Sequence, residues 1–134
     1  APIVKDLGIE VIPTGYLIID GGSNSSVQFM SGSNPIPIEK PDILIAHSLA
    51  AQYLGKKLIY LESGSGAKKS IPNEIIKAVT NYINIPIIVG GGICSPKSAH
   101  DKVQAGASFI VIGSAIEDGN NQNIKEFADA IHRG

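Results

Sequence analysis

Two side chains capable of acid–base chemistry stand beside a turn of small residues in "YLESGSGA", residues 60–67. Tyr60 and Glu62 are two positions apart at the end of an apolar run, so in a strand both point to the same side. A carboxylate there can accept a proton from a hydroxyl group, and a phenol can donate a hydrogen bond or face a developing cation. The Gly-Ser-Gly turn that follows leaves its backbone N–H groups open to an anion. The stretch therefore predicts a site for a small ligand with a phosphate and a hydroxyl group.

Two further glycine-bearing loops follow two later apolar runs. Gly90-Gly91-Gly92 comes directly after "PIIV", and Gly113-Ser114 comes directly after "FIVI". In a parallel α/β sheet all strands end on one side, where such loops converge with the positive N-termini of the following helices. A single glycine turn is common in any such fold, whereas three in register indicate phosphate binding. The predicted phosphate-binding loops are Gly64-Ser65-Gly66, Gly91-Gly92 and Gly113-Ser114.

The residues by themselves also allow structural interpretations of the first loop. Glu62 could form a surface ion pair with Lys57 or Lys68, and Tyr60 could pack as a core residue. Spacing does not decide between these roles and a catalytic one.

The remaining candidates carry weaker signals. Tyr16 could line a pocket or fill the core, and Asp20 could face the same mouth or cap a loop. Cys94 lies close to the glycine triplet but has no evident base beside it, so we interpret it as a small apolar residue. The histidines lack the spacing of metal ligands. They are His47, His100 and His132.

Strand-like and helix-like segments alternate along the chain. Short apolar runs without strict alternation are typical of strands covered on both faces, and four strand–helix units predict a parallel sheet. The strand ends recur at intervals of about 25 residues, near the repeat of an eight-unit barrel, so half of a (β/α)8 barrel is preferred to an open doubly wound sheet. The predicted strands are Tyr16–Ile19, Lys57–Leu61, Ile85–Val89 and Ser108–Ile112, and the predicted helices are Pro41–Leu54, Pro72–Tyr82, one from Ser95 and one over Asn121–His132.

The composition excludes several classes of function. The 134 residues suffice for one domain, and 11 basic against 12 acidic residues provide no basic face for nucleic acid. One cysteine excludes an internal disulfide and suits a reducing compartment. No apolar run approaches the roughly 18 residues of a membrane span. We expect a soluble, cytoplasmic protein.

Three stretches resemble the geranylgeranylglyceryl phosphate synthase family, which includes bacterial heptaprenyl relatives. They are "YLESGSGA", "PIIVGGGICSP" and "AGASFIVIGSAIE", and the likeness extends over essentially all of the chain. The resemblance implies a TIM barrel that joins a polyprenyl diphosphate to sn-glycerol 1-phosphate as an ether and releases diphosphate. This is an early step of archaeal-type ether lipid synthesis, and the prenyl donor would be a geranylgeranyl chain.

The resemblance also implies roles for individual residues. Glu62 would hold the glycerol hydroxyls and help deprotonate the attacking one, Tyr60 would sit by the allylic carbon, and Tyr16 would line the prenyl cleft. Cys94 stands where a basic residue is frequent in the family. The implied glycerol phosphate site comprises Tyr60, Leu61, Glu62, Ser63, Gly64, Ser65, Gly66, Gly91, Gly92, Gly113 and Ser114.

The family's first half-barrel has no counterpart here, so we expect residues 1–134 to be the C-terminal half of one barrel domain. That missing N-terminal half would supply the ligands of Mg²⁺, with none in this chain, and activity would require it. Residues 1–7 look like the end of a helix, as a cut halfway round would leave. Homo-oligomers and peripheral contact with a membrane are further expectations. The alternatives are a phosphate- or flavin-binding barrel enzyme of another class, or a non-catalytic half-barrel that serves as an interaction module.

Overall fold

The computed structural model describes residues 1–22, 30–117 and 121–132, which form four strands with helices between them. The strands are β1 Thr14–Ile18, β2 Leu58–Glu62, β3 Ile87–Gly90 and β4 Phe109–Val111. The helices used below are α1 Pro2–Asp6, α2 Pro41–Tyr53, α3 Asn73–Thr80, α4 Pro96–Gln104, α5 Ser114–Glu117 and α6 Asn121–His132. No helix in these ranges combines the length and apolar character that crossing a membrane requires.

All four strands are parallel and lie side by side in chain order, β1-β2-β3-β4. An open doubly wound sheet reverses its strand order at a switch point, whereas a barrel adds each strand next to the preceding one. The order therefore agrees with the half-barrel interpretation. The register aligns Tyr16 with Tyr60 on β1 and β2, and Glu62 with Gly90 on β2 and β3. The side chains that could do acid–base chemistry therefore lie at the same end of neighbouring strands.

The helices cover one face of this sheet and form the core with it. Helix α2 packs on β1 and β2, and α4 packs on β4, while α2, α3, α4 and α6 contact one another in succession. Ile59, Leu61 and Val89 point into this layer and are fully buried. At β1 the layer is tight, because a Cβ on Gly15 would come within 2.9 Å of both Ala51 Cβ and Ile59 Cδ1.

The opposite face of the sheet is open in this chain. Tyr16, Phe109 and Val111 project from it and remain 44%, 54% and 44% exposed, respectively. In a closed barrel this face is the interior, which is packed with side chains. The structure thus has one finished layer of core and one apolar surface without a covering element among the described residues.

All eight strand boundaries differ from the predicted ones by one or two residues, and two of the differences have a clear local cause. β2 continues through Glu62, one residue further, because Ile19 N donates to Glu62 O at 2.8 Å and extends the ladder with β1. β3 begins at Ile87, two residues later than predicted, since Pro86 has no N–H to donate and only its carbonyl is used, by Ile59 N.

Candidate functional site

A cavity of about 360 Å³ opens at the carboxyl ends of the strands. This size suits a small-molecule ligand. Its walls combine the tips of the strands with the loops that follow β2, β3 and β4. The lining residues are Tyr16, Glu62, Gly64, Ser65, Gly66, Ala67, Gly91, Gly92, Ile93, Cys94, Val111, Gly113 and Ala115.

Among the described residues Glu62 is the one carboxylate in the wall of this cavity, and it is 8% exposed. Gly64 N donates to its Oε1 at 2.6 Å, and the Tyr60 hydroxyl lies close enough to the same carboxylate for Glu62 to raise the pKa of the phenol. Glu62 makes no ion pair with Lys57 or Lys68 in the structure. The surface ion-pair alternative therefore does not apply, and the carboxylate is held by a main-chain donor of the loop that follows it.

The two tyrosines of the site meet edge to face on the open side of the sheet. The ring centroids of Tyr16 and Tyr60 are 4.9 Å apart at an interplanar angle of 73°, a favourable aromatic geometry. Burial, the hydrogen bond to Glu62 and its negative charge raise the pKa of Tyr60 well above the usual value. Burial and the charge of Glu62 also raise the pKa of Tyr16. Both rings stay neutral phenols at physiological pH, and Tyr16, not Tyr60, lines the cavity.

Gly90 leaves the space in which the Tyr60–Glu62 pair fits. A Cβ at this position would lie 2.7 Å from Glu62 Oε2 and 2.7 Å from the Tyr60 hydroxyl oxygen. Such distances are not tolerated by real side chains, so any other residue would displace the pair. From the sequence, the Gly90-Gly91-Gly92 triplet was interpreted only as a phosphate-binding loop. The role of Gly90 depends on the register that places it opposite Glu62, which the sequence does not show.

Two residues of the implied site turn away from the cavity. The Leu61 side chain lies in the helix-covered core and is fully buried, because it alternates with Tyr60 and Glu62. Only its main chain is left for any role at the cavity. Ser63 is 2% exposed, and its hydroxyl donates to Gly90 O at 3.4 Å. It joins the loops after β2 and β3 instead of facing a ligand.

The loop after β2 presents main-chain donors to the cavity. The N–H of Gly64 is taken by Glu62. Within the described ranges no acceptor is found for the N–H groups of Ser65, Gly66 and Gly92, all of which line the cavity. Converging main-chain donors of this kind favour an anion.

The third loop is described in part. Gly113 lines the cavity, and Ser114 begins α5 directly after it. The side chain of Ser114 lies outside the described residues, so its predicted phosphate contact stays a prediction.

Sequence reasoning overlooked the apolar part of the wall. Cys94 is exposed and lines the cavity, to whose wall it contributes a small side chain. Val111 joins it because it shares the open face of β4 with Phe109. The period of two along β4 was the available signal, but three strand residues are too few to show which face is open.

The other candidates lie elsewhere. Asp20 Oδ1 accepts a hydrogen bond from Gly22 N at 2.9 Å and so caps its own loop. His47 contacts Ile43 O within α2, and His100 contacts Ala130 O on α6. No group of three His, Cys, Asp or Glu side chains gathers as metal ligands in the described part of the chain.

A model of the PcrB family matches residues 2–131. This chain belongs to the PcrB family. That membership confirms the resemblance seen in the three motifs, since relatives of this chain are named geranylgeranylglyceryl phosphate synthases. The one from Chitinophaga pinensis is 46% identical over 132 residues, 98% of this chain and 52% of its own length. The one from Korarchaeum cryptofilum is 41% identical over 130 residues, 96% of this chain and 53% of its own length.

Solved structures of family members superpose closely on this half-barrel. The synthase from Thermoplasma acidophilum, solved in complex with substrate sn-glycerol-1-phosphate, has a TM-score of 0.92 at 33% identity and covers 100% of this chain and 54% of its own. The wild-type enzyme from Thermoplasma volcanium has a TM-score of 0.90 at 38% identity and covers 99% of this chain and 53% of its own. The predicted fold class is confirmed: the chain has the fold of half a (β/α)8 barrel. It spans about half the length of the PcrB relatives that it matches.

Proposed function

We propose that this chain forms the glycerol phosphate half of a prenyltransferase site, which joins a polyprenyl diphosphate to sn-glycerol 1-phosphate. The observation that carries the proposal is the pairing of one held carboxylate, Glu62, with open glycine-loop donors in a single cavity. A polyol phosphate needs both: donors for its phosphate and an acceptor for its hydroxyl groups. The family relative that was solved with sn-glycerol-1-phosphate supports this choice of ligand.

In the proposed reaction, a glycerol hydroxyl oxygen attacks the allylic carbon of the prenyl donor. The carbon–oxygen ether bond forms as the bond from that carbon to diphosphate breaks, and diphosphate leaves with the bonding electrons. The hydroxyl proton passes to Glu62, which acts as general base. The neutral rings of Tyr16 and Tyr60 lie on the open face, where they would stabilise positive charge developing on the carbon.

The phosphate of the acceptor would be bound by main-chain N–H groups. Ser65, Gly66 and Gly92 have N–H groups available in the cavity, with Gly113 on its rim. Because Gly64 N already donates to Glu62, we assign Gly64 to holding the base and not to binding phosphate. Tyr16 would lie where the acceptor site meets the prenyl cleft.

The second half of the barrel belongs to the proposal. The exposed inner face, with Phe109 and Val111, would be covered by the N-terminal half that the matched relatives contain. Mg²⁺, when bound there, would neutralise the leaving diphosphate. We place the reaction in the cytoplasm, with the prenyl chain reaching a membrane surface, and expect a homo-oligomer.

The test uses a completed barrel, defined here as this chain joined to the part of the Chitinophaga pinensis relative that it does not match. Geranylgeranyl diphosphate, sn-glycerol 1-phosphate and Mg²⁺ are supplied, and the ether product is quantified. We expect product from the completed barrel and none from residues 1–134 alone.

Glu62→Gln keeps the acceptor for Gly64 N but removes the base, so the rate should fall roughly 100- to 10,000-fold. The matched control is Glu74→Gln, on the exposed side of α3, which should leave the rate unchanged. An unchanged rate in Glu62→Gln would contradict the proposed base.

A further inference from the structure

Lys102, on α4, is a buried lysine that the proposed reaction does not use. Its side chain is only 5% exposed, one of four polar side chains in the buried set of the described residues. Burial lowers the pKa of its amino group, while the charges of Asp101 and Glu74 act in the opposite direction. A buried ammonium group is costly unless hydrogen-bond acceptors surround it. The acceptors that it finds therefore indicate its role.

Both acceptors belong to one segment, the end of the loop that begins in the cavity. Lys102 Nζ donates to the main-chain oxygen of Ile71 and, at 2.8 Å, to Oδ1 of Asn73. Ile71 is fully buried, and Asn73 is the first residue of α3. The N-cap of α3 is Pro72, which has no side-chain oxygen to cap the helix, and the Asn73 side chain at the next position accepts from Lys102. Eight residues before Ile71, the same loop leaves β2 to form the cavity wall.

The helix that carries Lys102 is itself continuous with the second cavity loop. Ser95, three residues after Gly92, is the N-cap of α4. Its Oγ accepts a hydrogen bond from Ser98 N at 3.2 Å. Gly92 packs against the backbone of the first loop, since a Cβ there would lie 2.8 Å from Ser70 N and 2.9 Å from Lys69 C. The two loops thus touch at Gly92 and are tied together at Lys102.

We propose that Lys102 is a positioning residue for the glycerol phosphate site. By holding residues 71–73 against α4, it fixes the spacing between the loop donors at Ser65 and Gly66 and the donor at Gly92. This inference rests on the proposed function, because it assigns the purpose of the spacing to phosphate binding. It predicts an effect on the phosphate substrate that the prenyl substrate does not share.

The experiment compares Lys102→Met with wild type in the completed barrel. Methionine keeps an unbranched apolar stem but has no donor for Ile71 or Asn73. The KM for sn-glycerol 1-phosphate should rise on the order of tenfold or more, because small misplacements of binding groups are costly. The KM for geranylgeranyl diphosphate should not change. The control is Lys97→Met on the same helix, which breaks an exposed ion pair with Asp101.

Two further measurements keep the proposal testable if Lys102→Met folds poorly. Asn73→Ala removes one acceptor only and should give a smaller rise in the same KM. Hydrogen exchange of the amides from Gly64 to Ala67, without ligand, should accelerate in both variants but not in Lys97→Met.

The outcomes separate the two proposals. A wild-type completed barrel that binds no sn-glycerol 1-phosphate would overturn the proposed function, and this inference with it. A wild type that binds, with both variants retaining its KM and its exchange rates, would overturn the role of Lys102 alone. Equal loss for both substrates would also overturn it, since that result marks a merely structural lysine.

Discussion

The two faces of the sheet are built from the same strands but differ in almost every physical respect. On the helix-covered face Ile59, Leu61 and Val89 are fully buried. On the open face, one residue along, Tyr60 and Glu62 hold each other in place, and Phe109 is 54% exposed. The covered face stabilises this chain, whereas the open face carries the candidate site residues and has no covering element among the described residues. Because successive side chains of a strand point to opposite faces, neighbouring residues of one strand serve either the core or the candidate site.

The largest test of this comparison concerns stability. Leu61→Ala should lower the free energy of unfolding by about 2–5 kcal/mol in this chain, because it opens a cavity in packed core. Phe109→Ala on the open face should cost no more than about 0.5 kcal/mol, as at other exposed positions. Chemical denaturation of both variants measures the difference.

Phe109→Ala also tests the half-barrel proposal. In the completed barrel Phe109 would be interior, so Phe109→Ala should then cost about 3–5 kcal/mol. A cost for Phe109→Ala that is equally small in both settings would mean that nothing covers the open face.

A test of intermediate size separates backbone strain from crowding at the site. Gly91 and Gly55 have almost the same left-handed backbone, with φ of +86° and +85°. An alanine pays about 1–2 kcal/mol for that conformation at either position. A Cβ on Gly55 meets no atom within 4 Å, whereas on Gly91 it lies 2.7 Å from Glu62 Oε1 and 2.9 Å from Gly64 N.

Gly91→Ala should therefore destabilise more than Gly55→Ala, by about 1–3 kcal/mol for the added overlap. In the completed barrel only Gly91→Ala should weaken sn-glycerol 1-phosphate binding, which calorimetry can measure. Equal effects of the two alanines on stability and binding would show that the site has room to spare at Gly91.

The smallest effect is a pH dependence on the open face. The folded-state pKa of Tyr60 is raised by burial and by Glu62, so above the unfolded value of about 10 the folded state binds more protons than the unfolded one. Its contribution to stability is present below pH 10 and is lost as the pH rises beyond it. The phenolate absorbance that disappears in Tyr60→Phe should titrate above pH 10, and in a Glu62→Gln background it should titrate lower. A Tyr60 titration that ignores Glu62 would contradict the hydrogen bond between them.

Much of the site followed from local sequence because local rules apply to it. The three strand–loop–helix units and their common orientation follow from apolar runs and glycine turns, and the side shared by Tyr60 and Glu62 follows from the period of a strand. Val111 was overlooked because its place in the cavity wall depends on how neighbouring strands and loops are brought together. Ser63 was assigned to the glycerol phosphate site, because local sequence does not show that its hydroxyl turns to Gly90 O at the end of the neighbouring strand.

The sequence by itself determined which residues could do chemistry here, the parallel βα order and, through its motifs, the family. Only the tertiary structure decided that Gly90 makes room for the Tyr60–Glu62 pair and that Lys102 ties two loops together. The physical reason is the separation along the chain of the residues that interact. Propensity and periodicity act over a few residues, whereas register, close approach and the burial of a charge join atoms that are 27 to 31 positions apart in the chain.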